Sequence, residues 1–160
     1  MGLVAYSAFV PAKALLGQAL LERAWEKVEA GDSEARPWPW ADMSPAGVLQ
    51  WEDHRWVVLR GASGESLAWG PGLVEGLETP VIGAHRDTHF RALKDVEIGD
   101  EVVWQTREGV RRYRVVLTEV ADTPVARVVE GGLVLSTCYP FQAVTPGRQR
   151  FVVTALPVTS

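Results

Sequence analysis

Three side chains lying far apart along this chain have the types needed to act together on a carbonyl group. The only cysteine, Cys138, closes an apolar run in "LVLSTCYPF". A cysteine inside a core is a small hydrophobe, but one at a strand end can bring its sulfur into a cleft as a nucleophile. Such a thiol needs a group that stabilises the thiolate or moves a proton, and histidine does both near neutral pH. Of the three histidines, His85 ends the apolar run 81–84, the same placement that Cys138 has. His54 precedes a strand and reads as an exposed loop residue without a role. His89 follows His85 by four residues, but a strand before the pair and the lack of a third ligand speak against zinc. Attack by sulfur also creates an oxyanion that a fixed cation must stabilise. "GRQRFVVTA" offers Arg148 and Arg150, and Arg150, directly before the apolar run 151–153, is the better fixed. On an extended chain both project to one side, so the assignment stays open. Each signal alone has a bland reading: an inert thiol, a structural histidine, solvated arginines.

These residues have to be carried by the elements around them. Pro11 suits the first position of a helix over 12–30, with Leu15, Leu16, Ala19, Leu20, Ala24 and Val28 at three- and four-residue steps forming its apolar face. Gly31 is placed to close that helix as its C′ residue. "DSEARPWPWADMSPAG" then reads as an ordered loop, pinned to the surface by Trp38 and Trp40. From about Val48 the chain becomes short Val-rich runs between turn formers: "RWVVLRG", "TPVIGAH", "EVVWQT", "RRYRVVLTEV", "GGLVLST" and "RQRFVVTAL". A single short helical candidate, 91–94, lies among them. Many strands without alternating helices predict a closed barrel or sandwich, not a βαβ sheet. The expected division is an amino-terminal segment, 1–47, and a catalytic barrel, 48–160.

Bulk properties narrow the function. The chain has 160 residues, is 47% hydrophobic, and carries a formal charge of -4. That is enough for one domain with a real core, and the negative balance argues against nucleic acid as a partner. Arg111, Arg112 and Arg114 are the nearest thing to a basic cluster and read as a solvated sheet edge. One cysteine excludes an internal disulfide and a Cys-rich zinc site, and no metal or other cofactor is expected. "GLVAYSAFV", residues 2–10, is apolar but shorter than the roughly 20 residues that span a bilayer. Two readings of it stand level: an ordinary buried segment, or the remnant of a membrane anchor.

"GAHRDTHFRALKDVEIGDEVVW", "LVLSTCYPF" and "RFVVTA" together resemble the sortases, envelope transpeptidases. The correspondence runs over roughly 48–156. It places Leu133 to Cys138 on the family's Thr-Leu-x-Thr-Cys element, with a looser start. His85, Arg86, Phe90, Leu93, Gly99 and Asp100 fall on its Gly-His-Arg…Phe…Leu…Gly-Asp region, and Arg150 on the arginine ahead of a Val-Val-x-Ala strand. "HRDTHF", "TCYPF" and "WPWAD" look most like class D sortases and their Gram-negative relatives, class GN. Ala84 stands where a glycine directly before the histidine is usual, with Gly83 one place earlier, and "WGPGLVEGLETPV" is a short approach; both could reshape the cleft wall.

The resemblance implies a mainly β fold, a closed eight-stranded sortase-type barrel with an amino-terminal helix. It also implies that Cys138 cleaves a Leu-Pro-x-Thr-Gly-like sorting signal through a thioester and passes the acyl group to an amine. His85 would move the protons, and Arg150 would hold the oxyanion. Thr137 could donate into the same hole, with Arg148 supporting and with Asp87 and His89 ordering the loop of His85. The implied partners are a protein with a carboxy-terminal sorting signal and an amine acceptor. The implied place is the cell envelope, with an anchor in the cytoplasmic membrane and the catalytic domain outside the cytoplasm, periplasmic in a Gram-negative cell. Two alternatives remain: a cysteine peptidase that transfers to water, and a non-catalytic β-barrel binding module. The closing "LPVTS" looks like a sorting motif but lacks the glycine, apolar tail and basic stop of a substrate.

Overall fold

The structure, a computed structural model, describes residues 2–61, 66–122, 129–142 and 147–159, with side chains at 12 and from 15 onward. One long helix, α1 (Gly2–Glu29), precedes eight strands. These are β1 (Pro45–Trp51), β2 (His54–Arg60), β3 (Gly72–Leu73), β4 (Val81–Gly83), β5 (Glu101–Thr106), β6 (Gly109–Ala121), β7 (Leu133–Cys138) and β8 (Arg150–Pro157). They close in the order β1-β2-β3-β4-β7-β8-β6-β5, with β5 returning to pair with β1. Among the described strands only β2–β3 and β4–β7 run parallel. The expected eight-stranded barrel with an amino-terminal helix is what the chain forms. β3, two residues long, and β1 were not among the strand runs read from sequence.

Alternation along each strand points one set of side chains inward, and a barrel of this size is filled by them. The interior holds Leu49, Val58, Ile82, Val102, Tyr113, Leu133, Leu135 and Val153. Phe90 and Leu93, from the 3₁₀ segment His89–Asp95 after β4, are fully buried in the same cluster. The helical candidate 91–94 is therefore real, and it acts as a plug that fixes the chain just beyond His85.

A second, smaller core lies outside the barrel wall, where Leu21, Trp25 and Val28 of α1 meet Val48, Val57 and Leu59. The helix face differs from the expected one. Leu15 and Leu16 are 75% and 58% exposed, while Leu21, Ala24, Trp25 and Val28, spaced by three and four, face the barrel. Pro11 lies inside α1 rather than at its start, which removes one backbone hydrogen bond there. The side chains of residues 2–10, whose burial was one reading of that segment, lie outside the described ones. Among the described residues no helix is long and apolar enough to cross a membrane.

Gly31 ends the helix as expected. At φ +110° its N–H bonds the Val28 carbonyl, and the Asp32 N–H reaches back to Lys27, the paired bonds of a Schellman cap. In the following loop Trp38 does pack on Trp69, with ring centroids 4.8 Å apart, but Trp40 is 80% exposed and pins nothing. Arg112 and Arg114 do not mark a sheet edge, because β6 pairs on both sides with β5 and β8. Their face is simply the wet outside of the barrel, where Arg112 pairs with Glu101 at 2.6 Å.

Candidate active site

Strand pairing sets the site. β7 and β8 run antiparallel with Cys138 opposite Arg150, so the last residue of one strand faces the first of the other; such partners stand about 4.5–5.5 Å apart at Cα. On the other side of β7, β4 runs parallel, with Gly83 beside Ser136. Two residues on, His85, just past the end of β4, and Cys138, the last residue of β7, come to the same rim. The three sequence candidates therefore follow one another around a single mouth of the barrel: Arg150, Cys138, His85.

Local contacts hold each in place. The Ala84 N–H donates to the Ser136 carbonyl at 3.3 Å, and the Thr137 hydroxyl donates to the Ala84 carbonyl at 2.7 Å. The second bond joins the residues that immediately precede the histidine and the cysteine, and the first lies one residue further back on β7. Thr137 is 2% exposed, and its only hydroxyl hydrogen is engaged there rather than toward an oxyanion. Beyond β4 the His85 carbonyl accepts from the N–H groups of Thr88 and Phe90, at 3.4 and 3.2 Å. With Phe90 fully buried, the His85 backbone is anchored while its ring stays exposed.

The remaining candidates fall around this frame. Arg86 is buried with Asp87 3.6 Å from its Nε, and His89 is buried with Nδ1 3.3 Å from the Thr88 hydroxyl. Both belong to the segment that carries His85. Arg148 is exposed and outside β8. Arg150 is half-buried, and its Nη1 donates to the carbonyls of Gly147 and Gln149, at 2.8 and 3.0 Å. Among the described residues its Nε and Nη2 hydrogens have no partner, leaving part of a five-donor fork for a ligand. Cys138 is a half-buried free thiol. No group of three His, Cys, Asp or Glu residues among the described ones could hold a metal ion.

Sequence reading passed over two features. Tyr139, Phe141 and Phe151 form a ring cluster beside the Cys138–Arg150 pair, with centroids 5.3–6.4 Å apart. Their position next to "TC" and "R" in sequence was the available signal. His54 is also not a loop residue. A two-residue turn sets it opposite Trp51 as the first residue of β2, stacked between Trp51 and Trp56 at 5.4 and 5.2 Å.

The model of the sortase domain matches residues 51–158, most of the chain. The chain belongs to the sortase family. Sortase D of Bacillus subtilis (strain 168) is 27% identical over 113 residues, 64% of this chain and 57% of that protein. The chain thus spans somewhat more than half the length of the curated relative it matches. The same barrel occurs in a Clostridium perfringens sortase D5 transpeptidase, with a TM-score of 0.68 at 18% identity over 90% of this chain and 99% of that one. A pilus-related sortase C of Group B Streptococcus gives a TM-score of 0.63 at 22% identity, covering 92% and 88%. Within this sortase fold, Asp100 has a structural duty: its carboxylate accepts from the Trp51 indole and the Glu97 N–H, each at 3.0 Å. The Gly-Asp pair seen in sequence closes the turn into β5, with Gly99 at φ +101°.

Proposed function

We propose that this protein is a cysteine transpeptidase acting on a Leu-Pro-x-Thr-Gly-like sorting signal. The Cys138 sulfur attacks the carbonyl carbon of the scissile amide, and the free donors of Arg150 stabilise the oxyanion. As the tetrahedral species collapses to a thioester, the C–N bond breaks and the leaving amine takes a proton from His85. An incoming amine then attacks the thioester carbonyl, returns its proton to His85, and releases the sulfur. Thr137 acts as a positioning residue, tying the strand end of the cysteine to that of the histidine. Arg148 lies close enough along the chain to bind the substrate backbone, while Asp87 and His89 order the segment of His85.

The observation that carries this reading is the register that sets Cys138 between Arg150 and His85 at one rim. Family membership supports the same chemistry. The proposed setting is the cell envelope, with the catalytic barrel, 48–160, outside the cytoplasm and the amino-terminal segment, 1–47, on its membrane side.

The test is a Leu-Pro-x-Thr-Gly peptide incubated with the protein and an excess of amine, the products being weighed. The expected product is the peptide cut after threonine and joined to the amine, with none formed by Cys138→Ala or His85→Ala. Hydrolysed peptide alone at saturating amine would identify a peptidase. An intact peptide, with Cys138 resistant to alkylation in the folded protein, would identify a binding module.

A further inference from the structure

A cleft of about 630 Å³ opens beside residues 87–95, the segment that follows His85, toward α1 and β2, whereas Cys138 and Arg150 lie on the β7–β8 side of β4 in the strand order. Asp87, Thr88 and His89 line it directly after the histidine, and α1 and the start of β2 form the opposite wall. Its apolar surface comes from Leu15, Trp56 and Ala92, with Trp56 seated edge-on over Phe90 at 5.6 Å. The exposure of Leu15, unexplained by packing, falls at this wall.

Charge on the lining is uneven. Arg55 is held by Glu22 at 2.9 Å, and Asp87 lies 3.6 Å from Arg86. Arg91, Lys94 and Asp95 have no ion-pair partner among the described residues. Two cations against one carboxylate remain for a ligand.

We propose that this cleft binds the acyl acceptor, and that the acceptor carries a carboxylate at the far end of a short stem from its amine. The inference rests on the transpeptidase reading above. Across the rim the oxyanion lies toward Arg150, so the amide nitrogen lies toward His85. By microscopic reversibility the incoming amine occupies the position the leaving amine vacates. An acceptor held in the cleft presents its amine to His85, its apolar stem to Trp56 and Leu15, and its carboxylate to Arg91 and Lys94.

Triglycine and triglycinamide differ only in that carboxylate and serve as the probes. Transfer to triglycine is expected at an acceptor KM about fivefold below that of triglycinamide, the size typical of exposed charge pairs. In the Arg91→Ala/Lys94→Ala protein the difference should vanish, while acceptor-free cleavage of the donor peptide keeps its rate. Equal KM values in the unchanged protein would overturn the proposal. So would a double variant that slows donor cleavage instead, since the cleft would then hold the departing segment. A binding measurement separates the two levels of the argument. Triglycine should give saturable amide shifts over residues 89–95 of the Cys138→Ala protein at concentrations where triglycinamide gives none. Those shifts without any donor cleavage by the unchanged protein would sink the transpeptidase reading and leave the cleft as a site; absent shifts would sink the cleft.

Discussion

The proposed mechanism gives Arg150 two tasks, holding its own loop and stabilising the oxyanion, which two substitutions probe. Its Nη1 secures the Gly147 and Gln149 carbonyls, and its Nε and Nη2 donors have no partner among the described residues. Arg150→Ala should lower kcat by about 10²-fold, the usual loss when an oxyanion donor is removed. Arg150→Lys keeps the charge without the planar fork and should recover only part of it. Steady-state kinetics with the sorting peptide checks this; a raised KM with unchanged kcat would confine the arginine to ground-state binding. Thr137 makes a different prediction. Thr137→Val keeps the shape but leaves the buried Ala84 carbonyl without its donor, which costs about 1–3 kcal/mol. Denaturant unfolding should show that loss, Thr137→Ser should restore most of it, and turnover should follow the same order. The sequence led to Cys138, His85 and Arg150 because strand ends can be read from apolar runs. It misjudged Thr137, because a hydroxyl beside a catalytic residue gives no sign of which neighbour takes its hydrogen.

At the scale of elements, the short β3 creates a problem that α1 solves. On β2, β3 pairs with Leu59 and Arg60 alone, leaving the upstream edge of that strand open. Gln18 fills the gap: its Oε1 accepts from the Val57 N–H at 2.8 Å and its Nε2 donates to the Val57 carbonyl at 3.2 Å. The helix comes near enough because Gly17 sits against Trp69, where an added Cβ would lie 2.8 Å from the ring. Gln18→Ala should therefore destabilise the protein by about 1–3 kcal/mol, with faster hydrogen exchange at the Val57 amide than at Val58. Unchanged exchange at Val57 would mean that the edge is protected by other means. Long Val-rich strands such as β5 and β6 were legible because alternation and flanking turns mark them. β3 was not, since two residues hold no period. The buried stripe of α1 was misplaced because Leu15 and Leu16 look like core by type, whereas Leu15 stands at the wall of the cleft and Leu16 faces away from the barrel core.

Taken as a whole, the molecule is a closed wall with one chemically equipped rim. Closure leaves no long unpaired edge to recruit another chain. It also removes the closing "LPVTS" from consideration as a substrate, since Leu156 and Pro157 pair with Arg114 and Tyr113 inside the wall. The convergence of Arg150, Cys138 and His85 follows from the parallel β4–β7 pairing, which connects segments more than 50 residues apart and which no local pattern encodes. The central claim is that this rim forms a thioester. The most direct measurement is the intact mass of the protein quenched shortly after mixing with a Leu-Pro-x-Thr-Gly peptide. The account predicts a transient added mass equal to the peptide through its threonine, located on Cys138 and discharged by an added amine. A protein whose mass never changes while the peptide stays whole would contradict it.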